Sequence, residues 1–284
     1  MSKVTPEMIK TLRTRTGVGM NNCRIALVET DGDIEKAIEY LRKVGISSAA
    51  KKESRATHEG CIEFGEDAKG IALVEMNAET DFVVKSEIFK KFQNEVVKEV
   101  IKTKPDQLEG FLNQKFSNDP TKTIDEARRQ AISILGENIN ISKILYISKN
   151  ANTSLGIYLH MNGKVLSLVE ITGASDQCDF AKDIAMHIVA EAPDFLREED
   201  VPIDLKAKEE EIAIAQLQEG LNDVVSKKIV QGKIKAFYNQ ACLLNQKYIK
   251  DQSITISDLV KRRSQEIKKD LHISKFIRWC IGSN

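Results

Sequence analysis

The residues best suited to chemistry stand in one short run, Thr80-Asp81-Phe82-Val83. They follow an apolar stretch, Ile71-Ala72-Leu73-Val74-Glu75-Met76, and precede a helical pattern that starts near Ser86. An acid beside an aromatic ring at a strand-to-helix turn can present a charge and a wedge together. Such a pair suits intrusion into the polar site of another molecule better than capture of a small one. The same residues have a structural alternative, with Phe82 in the core and Asp81 capping the next helix.

Motifs for covalent chemistry are missing from the sequence. No G-x-x-x-x-G-K-[ST] loop is present to cradle phosphates, and the Gly17-x-Gly19 pair falls between helical patterns without the third glycine of a dinucleotide fingerprint. His58, His160, His187 and His272 form no H-x-x-x-H pair, and no G-x-S-x-G elbow occurs. Cys23, Cys61, Cys178, Cys242 and Cys280 are odd in number and lack a C-x-x-C pair, which points to reduced thiols in a cytoplasmic protein. No cofactor, no metal and no enzyme activity are expected. No apolar run approaches the roughly 18–20 residues that span a bilayer, and Met1-Ser2-Lys3-Val4-Thr5-Pro6 lacks the apolar centre of a signal peptide.

The 284 residues balance 42 basic against 42 acidic side chains, so no overall field draws the chain to nucleic acid. Residues 1–58 depart from that balance, with eleven Lys/Arg against seven Asp/Glu, a net of +4. A small basic domain suits an acidic protein surface or RNA. A non-catalytic RNA- or ribosome-associated adaptor is therefore the rival class of function, although basic, aromatic-rich strands for base stacking are lacking.

The elements that must hold these residues follow from periodicity. Thr5-Pro6-Glu7 combines a capping hydroxyl, a proline at the first helical position and an acid at the positive end of the dipole. Gly17-Val18-Gly19 ends that helix, Ile25-Ala26-Leu27 marks a second, and Asp33 caps a third that Gly45 is expected to stop. Residues 1–45 thus form a three-helix (UBA-like) domain, and 46–58 a linker, helical at its start. Cys61–Phe64 and Gly70–Val74 predict a hairpin turning at Gly65-Glu66-Asp67. A helix then carries Ile88, Phe89, Phe92, Val96, Val97, Val100 and Ile101, with further helices near 105–116 and 123–136 and a strand at 139–147. A second hairpin turns at Asn162-Gly163, a helix runs from Ala181 to Ala190, another covers 257–271, and Ser274–Ile281 is a last strand. Leu73-Val74-Glu75 and Leu168-Val169-Glu170 hold the same place in two units. The expected class is α+β, with two related antiparallel-sheet and helix subdomains, 59–148 and 149–200 plus 231–284. Residues 201–230, with Leu205, Ile212, Leu217, Leu221 and Val225 among dense charges and Gly220 midway, predict a projecting coiled-coil hairpin or an ordinary amphipathic pair.

Taken in order, several strings resemble the bacterial translation elongation factor Ts family, the guanine-nucleotide exchange factors for elongation factor Tu. They are Leu12-Arg13-x-Arg15-Thr16-Gly17-Val18-Gly19-Met20 with Cys23, Asp31-Gly32-Asp33-Ile34-Glu35-x-Ala37-Ile38, Thr80-Asp81-Phe82-Val83, Gly136-Glu137-Asn138-Ile139-Asn140-Ile141, Ile184-Ala185-Met186-His187 and Phe276-Ile277-Arg278. Each is modestly specific; their order and spacing over nearly the whole length are highly specific.

The resemblance implies elongation factor Tu as partner, a helical hairpin that makes a homodimer possible, and no direct binding of nucleotide, DNA or membrane. It implies that Asp81 and Phe82, within Thr80–Val83, intrude near the partner's magnesium ion and loosen its phosphates. It assigns Arg13, Met20 and Asn21 to a grip on a helix of the GTPase domain, and His160 to a second contact in the C-terminal half of the core. Asn21 departs from the methionine often found there, and capping of the second helix is its alternative role. For Met20 the alternative is a place in the three-helix core, and for His160 a structural or bystander role. His187 and Gly136–Ile141 are read as serving the fold. The chain ends shortly after Phe276-Ile277-Arg278, without the C-terminal helix of some members, so affinity is expected to rest more on the N-terminal domain and core.

Overall fold

A computed structural model describes residues 4–217 and 223–282. Helix α1 (Pro6–Thr16) starts where its capping chemistry dictates: the Met8 N–H donates to Thr5 Oγ1 at 3.2 Å, and Gly17 ends it at φ 71°. Helix α2 (Met20–Glu29) follows, and α3 (Ile34–Ala50) is capped by Asp33, which accepts the Lys36 N–H at 3.0 Å. Leu12, Val18, Cys23, Ala26, Leu27, Ala37 and Leu41 form the small core of this helical trio.

Strands β1 (Glu59–Glu66) and β2 (Gly70–Ala78) make the first hairpin. The turn lies at Asp67–Lys69, where Asp67 Oδ1 accepts the N–H groups of Lys69 and Gly70 at 2.8 Å each. This corrects the expected turn at Gly65-Glu66-Asp67. Gly65 belongs to the strand, paired with Ala72, and a Cβ there would stand 2.6 Å from Val97 Cγ1 in the helix above. Every residue of β2 is buried, in keeping with its apolar run Ile71–Val74, and Glu75 and Asn77 are buried polar members of the same strand.

After the short helix α4 (Asp81–Lys85), α5 (Glu87–Thr103) is capped by Ser86 and buries Phe89, Phe92, Val96, Val97 and Val100 in the core. Helix α6 (Leu108–Asn113) leads to the two-stranded β3 (Lys115–Phe116) and β4 (Asp119–Thr123) and then to α7 (Ile124–Leu135) and β5 (Ile139–Ser148). The sheet order is β1-β2-β5, with β2 antiparallel to both neighbours.

Gly45 does not stop α3. It is buried, and a Cβ there would lie 2.7 Å from Ser133 Oγ and 3.1 Å from Ser133 Cβ on α7. The absent side chain allows close packing of the two helices, and that outweighs the helical cost of glycine, about 1 kcal/mol relative to alanine. Beyond α3, Glu53 Oε1 accepts from Arg128 at 2.7 Å and Arg129 at 3.1 Å, tying the segment to α7.

The second sheet has the order β10-β7-β6, formed by β6 (Thr153–His160), β7 (Val165–Thr172) and, at the end of the chain, β10 (His272–Cys280). Helix α8 (Cys178–Glu191) packs on β6 and β7. Helices α9 (Ile203–Ala215) and α10 (Asp223–Ala241) make the hairpin; α10 passes through 230 without interruption, while Gly220 and Leu221 lie outside the described residues. Strands β8 (Lys247–Tyr248) and β9 (Asp251–Thr255) then lead into α11 (Ile256–Ile267). The pairs Lys247↔Thr255 and Tyr248↔Asp251 repeat Lys115↔Thr123 and Phe116↔Asp119 residue for residue. Both small hairpins end in a capping box, Thr123 with Glu126 and Thr255 with Asp258.

The chain divides into two compact units. One holds the chain through Ser148 with Asn162–Lys164 and the end from Cys280, the other Lys149–Met161 and Val165–Trp279. Mixed helix and antiparallel sheet is the α+β class that the periodicity predicts.

Candidate functional site

The turn between β2 and α4 is built around Thr80. Its extended backbone makes it the residue that caps α4, with Oγ1 accepting the Val83 N–H at 3.5 Å. Glu137 holds Thr80 from across the unit: Oε2 accepts the Thr80 N–H at 3.0 Å and Oε1 accepts the Thr80 hydroxyl at 2.7 Å. Ser86 closes the other end, donating to the Val83 carbonyl at 2.7 Å and accepting the Phe89 N–H at 3.3 Å. A five-residue helix has little stability of its own; these bonds fix it.

Within the turn the side chains divide. Val83 is buried in the core of the first unit. Phe82, one position earlier, is 83% exposed. It is the one exposed side chain of Phe, Tyr or Trp type among the described residues. Neither half of the structural alternative holds: Phe82 is not in the core, and the caps are Thr80 and Ser86 rather than Asp81.

Asp81 is the first residue of α4 and pairs with Lys85 one turn on, at 2.5 Å. The hydrogen bond from Lys85 holds the Asp81 carboxyl below its ordinary range, with desolvation opposing, and raises the Lys85 ammonium in turn. The turn therefore presents an ionised, paired carboxylate beside a bare ring.

A second set of bonds braces the flank. The Asn138 N–H donates to Glu79 Oε1 at 2.7 Å, and its Nδ2 donates to the carbonyls of Glu53 at 3.2 Å and Arg55 at 2.8 Å. Arg55 lies 3.5 Å from Glu79. Gly136, at φ 83°, ends α7 and turns the chain so that Glu137 and Asn138 reach these positions. The positioning roles of Glu137 and Asn138 are absent from the sequence reading, which treats 136–141 as a helix stop and a strand start. The sole pointer was the Gly136-Glu137-Asn138 string itself.

Arg13 is exposed on α1. Met20, the first residue of α2, is 57% exposed and so is not a core methionine. Asn21 is exposed at the second position of α2; Gly19 precedes the helix, so Asn21 does not cap it, and its Oδ1 accepts from Arg24 at 3.5 Å. Ile25 and Val28 are also exposed on α2, giving the outward side of the trio an apolar character. His160 ends β6, is exposed, and has its Nδ1 3.3 Å from the Tyr158 hydroxyl, with the two rings stacked. His187 is fully buried, hydrogen-bonded at Nε2 to Gln246 at 3.0 Å and accepting the Ile249 N–H at Nδ1 at 3.3 Å, as a structural residue should be. Thr80–Val83 thus gather in one turn, Arg13, Met20 and Asn21 on one helix pair, and His160 lies in the other unit.

Among the described residues no group of three His, Cys, Asp or Glu side chains could hold a metal ion. No described helix is long and apolar enough to cross a membrane. The arrangement can contact another macromolecule with a charge and a wedge.

Residues 79–283 match the family model described as Elongation factor TS. The chain is 50% identical over 282 residues to Elongation factor Ts of Protochlamydia amoebophila (strain UWE25), covering 99% of this chain and 100% of that protein. It is 44% identical over 283 residues to Elongation factor Ts of Chlamydia felis (strain Fe/C-56) and 42% identical over 283 residues to that of Chlamydia pneumoniae, each covering 100% of both chains. On these matches the chain belongs to the Elongation factor Ts family of translation elongation factors.

Proposed function

We propose that this chain is a guanine-nucleotide exchange factor that acts in the cytoplasm on elongation factor Tu bound to GDP. The observation that carries the reading is the exposed ring of Phe82 beside the ionised Asp81, on a turn clamped by Glu137. In this reading Phe82 wedges between partner side chains near the magnesium ion, and Asp81 competes for groups around the metal and phosphates. Thr80 and Val83 contribute by holding the pair, one through Glu137 and the other through the core. Arg13, Met20 and Asn21 supply a separate grip, supported by the exposure of all three, and His160 a further contact.

No bond is made or broken, so the factor is not an enzyme in the covalent sense. It acts by differential binding. A factor that prefers the nucleotide-free partner lowers nucleotide affinity by the same ratio by which nucleotide lowers its own. The exposed Ile212, Ile214 and Val224 of α9 and α10 support a role of the hairpin in self-association.

The test is release of a fluorescent GDP analogue from elongation factor Tu, with and without the purified chain. Acceleration by the wild-type chain and its loss in Phe82→Ala are expected. Equal acceleration by the variant would remove Phe82 from the mechanism, and none by the wild type would end the reading.

A further inference from the structure

The residue pairs that hold the Phe82 turn, Glu79-Thr80 and Glu137-Asn138, lie just past the end of a sheet. The β2–β5 ladder ends at the pair Ala78↔Ile139, and β1 begins at Glu59, opposite Ala78. Beyond this edge side chains take over from the backbone ladder. Glu137 binds Thr80 twice, and Glu79 accepts the Asn138 N–H. A third segment arrives at the same place. Residues 51–58, between α3 and β1, belong to no helix or strand, so their carbonyls have no ladder to join.

The Asn138 side chain supplies what that segment lacks. Its Nδ2 donates to the Glu53 carbonyl at 3.2 Å and to the Arg55 carbonyl at 2.8 Å. An amide nitrogen carries two donor hydrogens where an ionised carboxylate carries none. Asn138 is fully buried, and its Oδ1 finds no donor among the described residues, so the amide serves as a donor. The segment is gripped from other sides as well. Glu53 Oε1 accepts from Arg128 at 2.7 Å, and Arg128 also donates to the Ile139 carbonyl at 2.9 Å, one residue from Asn138. The Arg55 guanidinium lies 3.5 Å from the Glu79 carboxylate that accepts the Asn138 N–H. Segments 53–55, 79–80 and 137–138 thus close a circuit with Asn138 at its centre.

We propose that Asn138 and Arg55 are positioning residues for nucleotide exchange: they hold the segment after α3 against residues 79–80 and so fix the direction in which Phe82 projects. The role rests on the exchange reading, in which Phe82 performs the displacing step. In that reading Arg13, Met20, Asn21 and His160 are footholds outside the circuit, and α3 keeps its own packing on α7. The circuit should therefore govern how fast bound nucleotide is displaced rather than how tightly the partner is held.

Release of a fluorescent GDP analogue from elongation factor Tu, followed against the concentration of the full chain, gives a limiting rate kmax and a half-saturating concentration. Asn138→Ala should lower kmax about threefold to tenfold, the scale of hydrogen bonds lost to half-buried carbonyls, and move half-saturation by less than about twofold. Arg55→Ala changes an exposed side chain, keeps the fold, and should lower kmax about twofold. Together the two should cost less than the product of their separate losses, because they belong to one circuit. Amide hydrogen exchange of the free chain is a readout that needs no partner: in Asn138→Ala the rise at Val83 and Val84 should exceed that in α5 about tenfold. No acceleration of GDP release by the wild type ends the exchange reading and this role with it. With an active wild type, the positioning role alone is overturned by an unchanged kmax in Asn138→Ala, or in Arg55→Ala if Asn138→Ala does not fold. A loss carried entirely by half-saturation overturns it too, as does an equal rise in hydrogen exchange across α4 and α5, the pattern of a general loss of stability.

Discussion

Glu137 takes both hydrogens that Thr80 can donate, the N–H at 3.0 Å and the hydroxyl at 2.7 Å, and so fixes the turn on which Phe82 stands. The two residues are 57 positions apart in sequence. Glu137→Ala leaves both Thr80 hydrogens without their acceptor and should cost about 1–3 kcal/mol. Exchange should fall although Phe82 is untouched. Glu137→Gln, which keeps one acceptor oxygen, should recover part of it. A GDP-release assay beside a thermal melt checks both; unchanged exchange in Glu137→Ala would reduce the clamp to a stability feature.

Neighbouring residues should respond oppositely. Phe82→Ala should alter stability by no more than about 0.5 kcal/mol, as expected for an exposed side chain. Val83→Ala removes two methyl groups from the core and should cost about 2 kcal/mol. Urea denaturation of the two variants separates the roles: a large loss in Phe82→Ala would mean that its ring packs in solution.

Lys85→Ala should release Asp81. The hydrogen bond from Lys85 is the largest cause of the low Asp81 pKa, so its loss should let that pKa rise toward the ordinary carboxylate range. Titration of the Asp81 carboxyl by NMR reads the shift directly. A carboxylate freed from its neighbour should also engage a partner cation more readily, so the exchange rate should rise or hold rather than fall.

His187 should make the fold acid-sensitive. Burial lowers its pKa, with the Gln246 hydrogen bond opposing, and Nδ1 accepts from Ile249 only while unprotonated. The unfolded chain, with its histidine near about 6.5, takes up the proton first. The neutral-histidine contribution is therefore complete above about pH 6.5 and is lost progressively as pH falls toward the depressed folded value. Denaturation between about pH 5 and 7.5 should show a steeper fall for the wild type than for His187→Gln; parallel curves would contradict it.

Thiol reactivity should follow burial. Cys178 is exposed, whereas Cys23 and Cys242 are buried, and burial pushes Cys242 up to about 11, with the Glu198 carboxylate adding to the rise. A chromogenic disulfide reagent should modify Cys178 first and Cys242 only after unfolding. Peptide mapping of the labelled chain decides the order.

What could be read in the sequence was local. Thr5 and Asp33 cap their helices because the signal and its target lie within three residues. Gly45 was misleading for the converse reason: its use is packing against Ser133, far along the chain, and nothing near Gly45 announces it. The two-residue strands Lys115–Phe116 and Lys247–Tyr248 are too short for any periodicity to register. At the site, Asp81 and Phe82 stood out by type, but an exposed Phe and a buried one look alike in a sequence; the exposure was decided by Val83 taking the inward position. Glu137 was invisible as a clamp because its partner belongs to another element.

Because Gly45 lets α3 lie directly on α7, the helix pair bearing Arg13 and Met20 and the turn bearing Phe82 are parts of one compact unit. If both meet the same partner, as proposed, they act as a bivalent ligand of set span. Once one foothold is seated, the other works at an effective concentration of about millimolar or above rather than at the bulk concentration of the factor. The contact between Gly45 and Ser133 then tunes avidity without touching the partner. Loosening it would leave each foothold chemically intact and remove their joint grip.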